Sequence, residues 1–122
     1  MFTKKNAASL IKATALGMAV SMLTACGIAE PKAEIAYATA TVRSAEAVDA
    51  NQYAGVELER AKGKLQQAQS EMTSGNNETA LRLANEATAD ASLAQAKAEA
   101  GKAKTAESQV KNSLKSLKSQ LK

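Results

Sequence analysis

The chain has 122 residues, with 16 Lys and Arg against 12 Asp and Glu, no His, one Cys, no Trp and one Pro. That is room for one small domain or one elongated helical unit. Without His there is no imidazole acid–base chemistry and no His metal site, and a lone Cys makes neither an intramolecular disulfide nor a thiolate cluster. With 28 alanines, and few Gly or Pro beyond Pro31, the composition predicts an all-α, non-enzymatic chain with no metal and no cofactor.

Residues 1–25 read as a secretory leader. Lys4, Lys5 and Lys12 form a positive start, and Ala13 to Ala25 is an uncharged run of 13 residues. A bilayer-spanning helix needs roughly 20 apolar residues, so the run suits a signal-peptide core and not a membrane span. It ends in Leu23-Thr24-Ala25-Cys26, which resembles a bacterial lipobox. The resemblance implies cleavage before Cys26, a diacylglycerol thioether on its sulfur and acylation of its new amino group. Each buried methylene contributes about 0.8 kcal/mol, so several acyl chains anchor stably where one does not. Gly27 follows, not the Asp that retains such proteins in the inner membrane of enteric bacteria. The implied location is the outer membrane, facing the periplasm.

Without the leader, residues 26–122 hold 13 basic and 12 acidic side chains, a net charge of +1. This balance, with almost no stacking aromatics, gives no support to nucleic-acid binding. Residues 26–32 form a lipidated tether that contains the only Pro. From 33 to 50, Ile35, Val42, Ala45 and Val48 fall on roughly one helical face. A turn is expected at Asp49-Ala50-Asn51-Gln52, and a second helix from Tyr53 to Thr73. Its stripe of Leu58, Ala61, Leu65, Ala68 and Met72 steps by 3, 4, 3 and 4, a heptad seam. Ser74-Gly75-Asn76-Asn77 breaks the pattern, with Gly75 suited to a positive-φ C-cap and Asn suited to capping the next helix. Glu78 lies in that helix's first turn, where the helix dipole favours an acid.

The third helix carries a seam made wholly of Ala: Ala80, Ala84, Ala87, Ala91, Ala94 and Ala98. Small residues let two helices approach closely, so its natural partner is the Leu58–Met72 stripe across the Gly75 turn. Leu81, Leu83 and Leu93 are expected to cover its flanks. The expected fold is an antiparallel helical hairpin or a three-helix up-down arrangement. Residues 33–100 form this domain, and 101–122 a basic amphipathic C-terminal helix. With only Gly101 as a breaker after residue 78, the last helix can run about 45 residues, nearly 70 Å. Fifteen large aliphatic side chains beyond Cys26, at about 1.5–3 kcal/mol each when fully buried, barely offset the ordering entropy of such a chain. A homo-oligomer or an envelope protein partner acting on the seams is therefore expected, with no small-molecule substrate.

Residues 97–122 hold seven Lys and two Glu. Lys111, Lys115, Lys118 and Lys122 recur at helical spacing beside a stripe of Val110, Leu114, Leu117 and Leu121. This basic amphipathic helix reads as a contact for anionic lipid, lipopolysaccharide phosphate, peptidoglycan or an acidic protein. It reads equally as a solvated face beside a coiled-coil seam. Lys122 on a thin, Ala-rich helical chain resembles the murein lipoprotein, in which the terminal Lys is joined to peptidoglycan. Only the lipobox, the helicity and Lys122 match, and turns interrupt the seams.

Two stretches carry a broader resemblance. One is Gln52-Tyr53-Ala54-Gly55-Val56-Glu57-Leu58-Glu59-Arg60-Ala61 through Ala68. The other is Ser74-Gly75-Asn76-Asn77-Glu78-Thr79-Ala80-Leu81 through Ala94. Together they resemble the small bacterial lipoproteins of domain of unknown function 4398, over roughly residues 33–100. Gly55 stands where that family usually has Pro, and Asn77 where it usually has an aromatic residue. Similar proteins are often encoded beside peptidoglycan-binding outer-membrane proteins of the OmpA type, which implies an envelope role. The second stretch is also similar to the latter half of a tetratricopeptide repeat, but no copy recurs at 34 residues. Gln95 to Glu107 has the Ala/Lys/Glu texture of late-embryogenesis-type helices, so a desiccation or membrane-protecting protein is the alternative. Acid pairs such as Glu57/Glu59 and Glu86/Asp90 are read as helix-surface solvation and ion pairing.

Overall fold

A computed structural model describes residues 27–121. Four helices follow in order: α1, Lys32–Ala47; α2, Ala50–Tyr53; α3, Gly55–Thr73; and α4, Asn77–Gln120. The fold is all-α. The three long helices form an up-down-up bundle in which α3 runs antiparallel to both neighbours. α1 therefore runs parallel to α4, and both set out from the same end. There the Asn77 side-chain amide donates to the Ile28 carbonyl at 2.9 Å. At the other end the Lys102 ammonium meets the Asp49 carboxylate at 2.7 Å.

The heptad stripes are the core. Leu58, Ala61 and Ala68 on α3, and all six seam alanines on α4, are completely buried, and Leu65 is nearly so. α1 contributes Ile35, Ala38, Val42 and Ala45, with Val48, Tyr53 and Met72 packed at the margins. Leu83 is buried, whereas Leu93, expected on the flank of the seam, is 45% exposed and points away from the bundle. Among the described residues no polar or charged side chain is buried. The α3–α4 interface is the most extensive, as the seam pairing requires. With no Cβ-branched or long side chains on the α4 seam, α3 approaches closely enough for its leucines to be covered by backbone and Cβ atoms. The seams are thus covered within one chain.

Two corners set the topology. α3 ends in a Schellman arrangement: Gly75 has φ 81°, its N–H donates to the Met72 carbonyl at 3.0 Å, and the Asn76 N–H donates to Glu71 at 2.9 Å. Asn76 precedes α4 without capping it, because its side chain donates instead to the Glu71 carboxylate at 2.7 Å. At the other corner Asp49 takes the left-handed role that Gly75 takes here, with φ 62°. Of the turn expected at 49–52, residues 50–52 instead join Tyr53 in one helical turn, and a kink at the buried Ala54 separates it from α3, which starts at Gly55 and not at Tyr53. α4 passes through Gly101 without a break, so the domain boundary expected there lies inside one helix of 44 residues. Gly101 serves a different purpose: a Cβ at this position would stand 2.5 Å from Cδ1 of Tyr53.

Candidate functional site

Beyond Gly101, α4 leaves the bundle. Every described residue from 102 to 121 is exposed, and the segment is helical throughout to Gln120. At 1.5 Å per residue this arm projects roughly 30 Å from the end of the bundle opposite Gly27 and Ile28. It carries Val110, Leu114, Leu117 and Leu121, which are 59, 61, 56 and 88% exposed. The spacing of these four residues announced an amphipathic helix, and the structure leaves their apolar face uncovered.

The arm's lysines divide into two kinds. Lys111 pairs with Glu107 one turn back, at 2.6 Å. Lys115 and Lys118 make no ion pair among the described residues. Together with Lys104 they leave the arm basic along most of its length. Lys122, like Cys26 and the lipobox residues Leu23, Thr24 and Ala25, lies outside the described residues. The candidate anionic contact is therefore built, over its described part, by Lys115 and Lys118 with Lys111 half-neutralised beside them.

The bundle wears its charges differently. Glu46 of α1 meets Lys62 of α3 at 2.8 Å, and Lys64 of α3 sits 3.1 Å from Glu86 and 2.9 Å from Asp90 of α4. Arg60 approaches Asp90 from the same helix, and Lys97 donates to Glu57. These pairs set a register in which Leu58 lies level with Ala94, and Leu65 with Ala87. They also account for the acid pairs noted in the sequence. Glu57 is engaged by Lys97, Glu59 by Lys62, Glu86 by Lys64 and Arg82, and Asp90 by Lys64 and Arg60. Hydrogen bonding from Lys97 holds the Glu57 carboxyl below its ordinary range, and Lys64 with Arg82 does the same for Glu86. The ammonium groups move the other way. Lys62 is raised by its bonds to Glu46 and Glu59, Lys64 by Asp90 and Glu86, and Lys102 by Asp49. Each of these four carboxylates is engaged by a cation of a neighbouring helix or of the next helical turn, an arrangement that orients the helices.

Among the described residues no helix is long and apolar enough to cross a membrane, and no group of His, Cys, Asp and Glu stands ready for a metal ion. A shallow groove beside the start of α4 has an apolar floor of Ile28, Leu81 and Ala89, bordered by Asn85 and by the charged Glu78, Arg82 and Glu86.

No curated protein and no solved structure matches the chain. One family model does, over residues 33–110, which takes in α1, α2, α3 and α4 as far as the first aliphatic residue of the arm's exposed stripe. The chain belongs to that family, described as a domain of unknown function, DUF4398.

Proposed function

We propose that this protein is a non-enzymatic lipoprotein of the outer membrane, anchored through acylated Cys26. Its periplasmic three-helix bundle serves as a spacer and interaction module of the cell envelope. The observation that carries the reading is the polarity of the bundle. The described chain starts at the N-terminal end of α4, held by the Asn77–Ile28 bond, and the basic arm leaves from the opposite end. Gly27, which follows Cys26 in the chain, borders the start of a helix about 65 Å long whose far half is exposed and basic, so a lipid on Cys26 would anchor that end. Such a shape presents its lysines away from the anchoring leaflet, toward peptidoglycan or a peptidoglycan-binding partner of the OmpA type, and not toward its own membrane.

The test is the intact mass of the native protein, taken from a membrane extract and from lysozyme-digested, detergent-boiled sacculi. The expected membrane species begins at Cys26 and carries three acyl chains. A species without added lipid, recovered in the soluble fraction, overturns the anchor. A muropeptide-bearing form in the sacculi makes the wall contact covalent, whereas empty sacculi leave a non-covalent contact for the arm.

A further inference from the structure

The arm's stripe is the visible part of a longer one. Followed back along α4 at alternating steps of 3 and 4, it runs without interruption from Ala89 through Leu93 to Leu121. Nine of its ten positions are apolar, all ten are exposed, and Glu107 is the exception. It lies on the side of α4 turned away from the Ala80–Ala98 seam, so α4 carries two heptad stripes, one used and one open. A strict heptad repeat sustained over about 50 Å of helix is the pattern of a left-handed coiled-coil seam. The free half of α4 also lacks what would make a lone helix stable in water. It contains Gly101, Thr105, Asn112 and four serines between 108 and 119, and isolated helices of this length are marginal even when rich in Ala.

We infer that this open stripe pairs with the same stripe of a second copy of the chain, in a parallel two-stranded coiled coil. The flanking charges choose both the occupant's direction and its register. The positions that follow the stripe on one edge are Lys97, Lys104, Lys111 and Lys118, all cationic. The positions on the other edge are Glu99, Ala106, Ser113 and Gln120, none cationic. In a parallel pair the two different edges face each other, which sets Glu99 against the second copy's Lys104 and every other lysine against a neutral residue. In an antiparallel pair like edges face each other, and the lysine edge of one copy opposes that of its mate, with Lys104 and Lys118 carrying most of the repulsion because Lys97 is engaged by Glu57 and Lys111 by Glu107. Glu107 falls inside the seam, held 2.6 Å from Lys111 of its own chain. One polar seam position of this kind fixes register at a cost in stability. The bundle helices α1 and α3 sit on the far side of α4, and Ile28 borders the stripe at its first position, Ala89. Pairing needs only the stripe; that both copies rise from one membrane, and so arrive already parallel, rests on the anchoring proposed above.

Single cysteines placed on the stripe of the full chain, crosslinked in cells with a short bismaleimide, test this. Leu93→Cys and Leu117→Cys are both expected to give a dimer of twice the chain mass. Asn112→Cys, on the other face, and the unsubstituted chain are expected to give background only. Because these positions are exposed, the bundle's helix content serves as a check that folding is intact. An antiparallel pair brings a residue opposite itself at one height only, so crosslinking at one position but not the other overturns the parallel arrangement. Crosslinking to a protein of different mass overturns self-pairing, and background at both positions makes the stripe a solvated surface. Leu114→Asp is expected to lower the Leu117→Cys dimer by at least about tenfold, and Glu107→Leu to raise its yield. Fractionation of the same cells separates the two readings. A soluble chain that crosslinks at both positions keeps the coiled coil and loses the anchor, and a membrane-bound chain that does not crosslink does the reverse.

Discussion

The ring of Tyr53 occupies the space that a side chain at residue 101 would need. A Cβ on Gly101 would stand 2.5 Å from Cδ1, 2.9 Å from Cγ and 3.2 Å from Cβ of that tyrosine. Cβ is fixed by the backbone of the α2 corner, so the ring has little freedom to retreat. Gly101→Ala is expected to destabilise the bundle by about 1–3 kcal/mol, the range for overpacking. Gly63, mid-helix on α3, has open space around it. Gly63→Ala is expected to stabilise by roughly 0.5–1 kcal/mol through helix propensity alone. Urea unfolding of the two variants, followed by circular dichroism, checks the opposite signs.

The Ala seam predicts an asymmetry between losing and gaining volume. Leu58 is the largest completely buried side chain, and Leu58→Ala is expected to cost about 2–5 kcal/mol. For a chain this small that is a large share of its whole stability. Ala91→Leu adds apolar surface yet is expected to cost about 1–3 kcal/mol, because α3 must move away to admit it. Thermal melts of both variants at low concentration measure the two losses.

The ion pairs between helices set a pH window. Glu57 and Glu86 are depressed below their unfolded values. Their contribution is therefore complete above about pH 4.3, the unperturbed value for Glu, and is lost as pH falls through the lower folded values. Lys62, Lys64 and Lys102 are raised. Their contribution is complete below about pH 10.4 and is lost as pH rises through the higher folded values. Melting temperature should be flat between these limits and fall outside them, with the acid limb shallower in Glu57→Gln. Glu86, Lys62, Lys64 and Lys102 keep part of their side chains in solvent, whereas Glu57 is more covered, so added salt should flatten the alkaline limb more than the acid one.

Much of this architecture could be read from spacing alone. The 3-and-4 stepping of Leu58 to Met72 and of Ala80 to Ala98 named both faces of the main interface, because a buried heptad seam tolerates few exceptions. Gly75 fixed the first corner, since a positive φ suits Gly above all. The second corner was less legible. A turn was expected at Asp49-Ala50-Asn51-Gln52, but nothing in the sequence marks Asp49 itself as the left-handed residue, whose N–H meets the Glu46 carbonyl and whose carboxylate meets Lys102. The outer stripe was visible only from Val110 onward. Between Ala89 and Ala103 it is written in alanine except at Leu93, and on a helix with alanine on two faces composition does not tell which face is covered. That distinction belongs to α1 and α3, which cover one side and leave the other.

The left-handed Gly75 gives a further expectation. With φ 81°, an added Cβ at this position is strained even though nothing crowds it. Gly75→Ala is expected to cost about 1–2 kcal/mol, the left-handed penalty for an L-residue. Gly75→Asn is expected to cost less, since Asn tolerates that region. Equilibrium unfolding of the two variants ranks them.

A chain that crosses its bundle three times comes out on the side opposite the one where it went in. Parity, more than any single contact, separates the residues next to Cys26 from the lysines of the arm. A two-crossing hairpin would fold both back to one end. Because the third crossing simply continues into the arm, reach is decoupled from folding. Inserting one heptad beyond Gly101 moves the arm's tip outward by about 10.5 Å and leaves every buried residue where it is.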